Sequence, residues 1–383
     1  MKRDEILLIC GKKYMEMTKE LCRTAGLSSL ILEECGNRAA LIALKPNLLG
    51  PIPASEGATT HPEVIEGVIS YLREEGFENL VVMESSWVGD RTADSLLVTG
   101  VGELCERLGV PFWDLQEDKG VPADGAGMEL KLCARVKTVD FLINLPVLKG
   151  HCQTRMTCAL KNMKGCIPNA EKRRFHRMGL HDPIGHLSCA IRQGFILADM
   201  ICPDLTFEDG GNPIPLDRLA CALDPVLFDA WGARMIGLEA DAVRYILIAQ
   251  ELGAGCADPD RAKVRAFYEK RQGGETFYER GLPPAGPLFA GDVGAALRLR
   301  AKVEEVDSCS ACYGTLIPVL QRLEKEGKLD KIKDRICIGQ GWKKKRGKLG
   351  IGTCTALFDR TLPGCPPSAE EIYRYLTNET GMI

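Results

Sequence analysis

Through its first half the chain alternates short, uniformly apolar runs with longer segments whose apolar residues recur at helical spacing. Ala39–Leu44, Asn79–Met83 and Phe141–Leu145 read as strands. His61-Pro62 opens a helix carrying Val64, Ile65, Val68, Ile69 and Leu72, and a second helix covers about Ala93–Leu108. Strands apolar along their whole length need cover on both faces, and intervening helices supply it. The expected fold is α/β: a mainly parallel sheet with helices on both faces. A further strand is expected at Met200–Phe207, and Asp224 should cap a helix that begins at Pro225.

Such sheets bind ligands beyond the carboxyl ends of their strands. Lys45 and Asn47, Glu84 and Ser85, and Lys149 and His151 all follow strands in that sense. Cations at strand ends read as anion-binding groups. Lys45, Lys149 and His151 are therefore candidate catalytic residues, joined by Lys161. Asn162 lies beside Lys161 in the segment Thr157–Gly165, which reads as a helix. His61 and Asp209 complete the expected polar crevice, with helix capping the plain alternative for Ser85. His176, His181 and His186 are spaced by five, off any single helical face, and read as loop residues around Pro183, with one of them as an acid–base or anion contact the alternative.

The C-terminal part carries different chemistry: Cys309-Ser310-Ala311-Cys312, then Cys354, then Cys365 within Gly364-Cys365-Pro366-Pro367. A [4Fe-4S] cluster needs four thiolates in one small volume, and a Cys-x-x-Cys pair supplies two from one turn. Gly364 permits a close backbone approach, and the two prolines fix the chain that follows. Ser368-Ala369-Glu370-Glu371 is a capping box ahead of Ile372, Tyr373 and Leu376, so Cys365 stands just before a helix N-terminus. The partial positive charge there favours a thiolate or an anionic cluster. Zinc is the rival metal, and free thiols are the plain alternative. All five histidines lie between His61 and His186, so a C-terminal zinc site would be all-cysteine unless the fold brings an N-terminal histidine across. Cys337, in the apolar run Arg335–Gly339, reads as a buried structural thiol in place of a ligand.

Seventeen cysteines, an odd number scattered through apolar segments, cannot form a complete disulfide framework and point to a reducing, anaerobe-like interior. The N-terminus does not read as a signal peptide, and Phe141–Leu148 is too short to span a bilayer. A cytoplasmic protein is expected. The net charge of −3 gives no global attraction to nucleic acid. Basic residues do cluster at 161–177 and 331–348, as solvated loops or as a docking surface for an acidic redox partner or an anionic substrate. There is no P-loop and no dinucleotide fingerprint. The Gly- and Pro-rich stretch after Gly253 suggests a core at 1–255, a connecting segment at 256–300 and a small α/β cysteine module at 301–383. No internal repeat stands out, and the oligomeric state leaves no mark.

Taken together, Lys45-Pro46-Asn47-Leu48, Thr60-His61-Pro62-Glu63-Val64, Glu84-Ser85, the run Asn144–His151 and Leu160-Lys161-Asn162 with Gly165 resemble the domain-of-unknown-function 362 family. Asp209-Gly210 and Asp224-Pro225-Val226 with Asp229 fit the family's later acidic motifs, so the resemblance covers about residues 40–255. It implies a prokaryotic protein associated with iron–sulfur clusters. Many members carry two dense cysteine runs, whereas this chain looks like a single-cluster variant. The expectation is a [4Fe-4S] protein held by Cys309, Cys312, Cys354 and Cys365, acting in electron transfer or as an oxidoreductase at the lysine-rich crevice. Two other classes stay open: a non-redox enzyme for a small anionic substrate with a structural cluster or zinc, and a scaffold or docking protein.

Overall fold

The computed structural model describes residues 1–284, 299, 301–308 and 310–379. The chain forms two compact units, Met1–Phe289 and Ala290–Ile383.

The strands of the first unit are β1 (Glu5–Cys10), β2 (Ile42–Pro46), β3 (Leu80–Glu84), β4 (Phe112–Asp114), the hairpin β5–β6 (Gly120–Gly125, Met128–Cys133), β7 (Phe141–Leu145), the short pair β8–β9 (Lys149–His151, Arg155–Thr157), β10 (Phe195–Met200), β11 (Arg218–Ala222), β12 (Lys263–Gln272) and β13 (Glu275–Gly281). Nine of them make one sheet in the order β13-β12-β1-β11-β10-β7-β2-β3-β4. It is mainly parallel, with antiparallel pairing where β11 meets β1 and β10 and where β12 meets β13. Every residue of β2, β3, β7 and β10 is buried. Their side chains divide between two core layers: Ile6, Leu8, Ala43 and Val81 pack on one face, Leu7, Ile9, Ile42 and Val82 on the other. That two-sided burial is the α/β architecture that uniformly apolar strands demand.

Several elements differ from their sequence reading. The helix expected over Ala93–Leu108 is two helices, Thr92–Thr99 and Val101–Leu108, broken at Gly100. The strand expected from Met200 ends there. Pro203 cannot donate to a ladder, and the Asp204 carboxylate accepts from Thr206 and Phe207 backbone N–H at 2.8 and 3.1 Å, which closes a turn. His176 lies in the helix Asn169–Met178, and His181 and His186 lie in the helix His181–Ala190, so they are not loop residues. Pro183 sits in a first helical turn, where its missing N–H costs nothing. The segment 256–300, read from composition as a connection, carries β12 and β13, and β12 pairs in parallel with β1.

The second unit contains β14 (Val303–Glu305), β15 (Ile336–Ile338), β16 (Leu349–Ile351) and β17 (Arg360–Leu362), all parallel and in consecutive order. The helices Ser310–Lys325 and Ala369–Glu379 pack together, burying Leu316, Leu320, Ile372 and Leu376. The capping box forms: Ser368 N–H donates to Glu371 Oε2 at 2.8 Å, and Glu371 N–H to Ser368 Oγ at 3.3 Å. Lys343, Lys344, Lys345 and Arg346 are exposed. Among the described residues no helix is long and apolar enough to cross a membrane.

Candidate functional site

At the carboxyl ends of β2, β3 and β7 the chain builds a narrow polar crevice of about 70 Å³, with room for a few non-hydrogen atoms. β3 ends on Glu84, whose carboxylate gathers three donors: Lys45 Nζ at 2.6 Å, Leu48 N–H at 3.1 Å and Ser85 N–H at 2.7 Å. Lys45 is fully buried beneath it and also donates to Pro46 O. Gly165 closes over this pair. A Cβ there would stand 1.8 Å from Glu84 Oε1 and 2.6 Å from Lys45 Cε, so only glycine fits. Asn162 Nδ2 donates to Asn144 Oδ1 at 2.7 Å, and Asn144 in turn donates to Ala159 O and Gln193 Oε1. The buried Asp229 accepts from Ala159 and Leu160 N–H at 2.8 and 3.2 Å, fixing the start of the helix Ala159–Asn162. That helix is too short to hold its own position. Asp229 and Asn144 therefore set where Lys161 and Asn162 stand.

Four lysines line the crevice: Lys149, Lys161, Lys164 and Lys172. Lys149 donates to Ala58 O and to Glu208 O, and Lys172 to Ser85 Oγ, Ser85 O and Ser86 O. Burial, with Lys161 nearby, lowers the pKa of Lys149 to about 7. Burial lowers Lys161 to about 8 and Lys172 to about 8, and it pulls Lys164 well below the ordinary range. Lys164 Nζ lies 3.3 Å from His176 Nε2, and its charge, with burial, drives the imidazole down to about 2. Glu84 and Glu208 are the lining carboxylates, so four lysines face two acids and the site is short of negative charge.

His151 stands behind this lining. Its Nδ1 accepts from Gln153 and Thr154 N–H at 3.0 and 3.1 Å, and burial followed by the Lys161 and Lys164 charges keeps it neutral. Its one proton is then assigned to Nε2, 3.6 Å from Glu208 Oε1. That distance is too long for a hydrogen bond, and the accepting lone pair of His151 is already engaged. Cys152 joins it, with N–H and Sγ each 2.8 Å from Glu208. His151, Cys152 and Glu208 bring ligand atoms within 4.8 Å of one another and could hold a metal ion.

The sequence-expected residues therefore fall into groups. Asn47, Glu84, Ser85, Lys149, Lys161 and Asn162 line one crevice. Lys45 and His151 support it from behind, and Asp209 is solvent-exposed next to Glu208. His61 points elsewhere, to Asp199. Sequence reasoning passed over Lys164, Lys172, Cys152 and Glu208, and His176 entered it only as one of three histidines of which one could contact an anion. The basic run at 161–177 held the signal: Arg173 and Arg177 are exposed as a solvated run would be, whereas Lys161, Lys164 and Lys172 turn inward.

In the second unit the cysteines follow strand ends. Cys354 is in the 3₁₀ turn Thr353–Thr355 after β16, Cys365 follows β17, and Cys312 is in the first turn of the helix after β14. Cys309 lies outside the described residues. Thr353 N–H and Oγ1 both donate to Gly364 O, at 2.8 and 3.1 Å, which ties the Cys354 and Cys365 loops together. A Cβ on Gly352 would come 3.8 Å from Cys312 Sγ. Gly364 has φ +141°, and a Cβ there would meet the Pro367 backbone at 2.7 Å. Ser308 Oγ is buried without a hydrogen-bond partner among the described residues. The strand–glycine–3₁₀ pattern of Ile351-Gly352-Thr353-Cys354 recurs in Ile338-Gly339-Gln340-Gly341, an internal repeat too short to register in the sequence. Cys337 is buried within β15, and burial raises its pKa to about 11.

Residues 42–234 match the family described as Domain of unknown function (DUF362), which is half of the chain. The chain belongs to the DUF362 family. A relative, the thylakoid-associated protein sll1697 of Synechocystis sp. (strain ATCC 27184 / PCC 6803 / Kazusa), is 28% identical over 233 residues, covering 55% of this chain and 68% of the relative. Among solved structures, the lactate racemase apoprotein of Thermoanaerobacterium thermosaccharolyticum aligns at a TM-score of 0.37 and 12% identity. That alignment covers 54% of this chain and 53% of the racemase, so the chain spans about half of its length. The DUF362 match runs from β2 to the helix Pro225–Met235 and so contains every strand end that forms the crevice.

Proposed function

We propose that this DUF362 protein binds a small anionic substrate in the lysine crevice and works as a redox protein through a [4Fe-4S] cluster held by Cys309, Cys312, Cys354 and Cys365. What supports it is the charge imbalance of the crevice, four lysines against two carboxylates in a space of a few atoms. Lysines partly discharged by burial regain their protons when an anion enters, so binding takes up protons. Lys149 and Lys161 contact the anion; Lys149, near pH 7, is placed to give or take a proton there. Lys172 holds Ser85, and Lys45 holds Glu84.

For the cluster, the donor set is the support. Cys312 sits in a first helical turn, and the loops of Cys354 and Cys365 are tied together. A bound cluster would supply one-electron transfer, and the exposed Lys343–Arg346 loop suits an acidic redox partner. Anaerobic purification with iron and sulfide analysis, beside calorimetric titration with phosphate and short carboxylates, tests both halves. The expected result is iron with matching acid-labile sulfide, and anion binding that Lys161→Ala abolishes. Stoichiometric zinc without iron would sink the cluster; no anion binding near neutral pH would sink the crevice.

One observation favours a second reading. A lysine titrating near 7 suits general acid–base catalysis without electron transfer, with the cluster or a zinc ion purely structural. Turnover that survives Cys354→Ser would select it.

A further inference from the structure

A second reactive constellation lies outside the crevice lining, at the carboxyl end of β10. Asp199 is the fifth residue of that strand, Cys202 follows two residues after it, and His61 precedes the helix Pro62–Glu74. Asp199 Oδ2 lies 2.8 Å from His61 Nδ1 and accepts the His61 backbone N–H at 2.8 Å. On the other side of the ring, His61 Nε2 lies 3.6 Å from Cys202 Sγ. Asp199 is itself pinned, because its Oδ1 accepts Ile201 N–H at 3.0 Å. Thiol, imidazole and carboxylate thus stand in series through the two ring nitrogens, the arrangement that activates a nucleophile. The Asp199 side chain is 2% exposed and that of His61 13%, while Cys202 is half-buried. Cys202 is thus partly open to solvent while the carboxylate stays dry.

We propose that Cys202 is an activated nucleophilic thiolate, with His61 as its proton partner and Asp199 as the positioning carboxylate, and that it attacks small electrophiles bearing a sulfur leaving group. The thiolate forms a bond to the carbonyl carbon of a thioester or to one sulfur of a disulfide. The bond to the leaving sulfur breaks, that sulfur departs with the electron pair, and it takes the imidazolium proton. With a disulfide, Cys202 is oxidised and the departing thiol is the reduced product.

The surroundings fit this assignment. Burial opposes charge on His61, but the Asp199 charge and hydrogen bond, together with Cys202, lift its pKa to about 10, so the ring is an imidazolium at neutral pH. An adjacent imidazolium stabilises a thiolate. Other titratable or charged groups on the packed elements are Tyr14, its ring 6.0 Å from His61, and Asp217, which accepts from Tyr14 Oη at 2.6 Å and lies 3.8 Å from Lys12 Nζ. Ala54 O and Ser55 O approach the sulfur at 3.5 and 3.8 Å and would accept from a neutral thiol. The competition between those carbonyls and His61 decides the protonation state, and it can be measured.

The full chain, kept anaerobic, is treated with limiting iodoacetamide across a pH series, and each cysteine is followed by peptide mass spectrometry. The exposed Cys189 serves as internal standard. At about pH 6, Cys202 should alkylate at least about tenfold faster than Cys189. His61→Asn and Asp199→Asn should each slow Cys202 alkylation at about pH 6 by at least about tenfold and leave Cys189 unmoved. The wild-type profile decides the matter alone if either variant fails to fold: a Cys202 profile that overlays Cys189 overturns the assignment. Parallel incubation with an N-acetylcysteamine thioester and with glutathione disulfide separates the two electrophiles, by acyl or glutathionyl mass on Cys202. If neither labels Cys202 faster than Cys189, the electrophile class is wrong. None of these readouts depends on the crevice or the cluster.

Discussion

In the first unit several charged groups at the strand ends are already tied to protein partners. Glu84 accepts three donors, Lys172 donates to the Ser85–Ser86 turn, and Asp229 and Asn144 fix the short helix that carries Lys161. In the second unit, groups at equivalent strand ends are less enclosed: Cys365 is exposed, and Cys312 and Cys354 are half-buried. The first region is preorganised before any ligand arrives, while the second would gain order from what it holds. Anions and chelators should therefore act on different halves of the molecule.

The sharpest break of this contrast is Glu84→Ala. It leaves the fully buried Lys45 ammonium uncompensated and should cost about 3–5 kcal/mol in urea unfolding of the first unit. Intact stability would mean that the crevice is not a preorganised network. Next, under the proposed cluster, Cys354→Ser should lower the iron content in metal analysis to a small fraction of that of the parent protein while phosphate affinity changes less than about twofold; parallel losses would erase the distinction between the units. pH separates them further. Lys149 and Lys161 have folded pKa values lowered to about 7 and about 8, against about 10.4 unfolded. Between those limits the unfolded chain binds more protons, so their contribution makes stability rise with pH through that window. Anion affinity should do the reverse and fall as pH rises through 7 to 8, which calorimetry in buffers of different ionisation heat would resolve. The smallest effect belongs to Asp224→Ala. Its carboxylate accepts Val226 and Leu227 N–H at 2.9 and 3.0 Å, and its loss should cost about 1 kcal/mol with no change in iron or anion binding.

Much of the architecture was legible because it rests on periodicity. Uniform burial of β2, β3 and β7 follows from apolar runs, and Asp224 and Ser368 cap helices as their sequence contexts indicate. The crevice was legible through residues that directly follow strands, such as Lys149 and Ser85. Lys172 and His176 were not, because they reach the site from a helix whose inward face is polar, and an amphipathic reading assigns polar faces to water. Glu208 was hidden by the turn that Asp204 closes, which bends the chain back so that Glu208 meets Cys152. The Cys202–His61–Asp199 series was invisible because its members lie 141 and 138 positions apart from one another or in different registers of one strand end. β12 was missed because its residues are largely half-exposed and charged, as befits a strand near the edge of the sheet.

The place of β1 has a consequence for how the protein is made. β1 precedes the other strands of its sheet in the chain yet sits between β11 and β12, so its two neighbours are supplied only after residues 222 and 272 have been synthesised. Until then β1 has no permanent seat, and the nascent sheet ends at β10 with an open edge that holdase chaperones or other growing chains can occupy. Slowing translation near codon 220 should prolong that vulnerable interval.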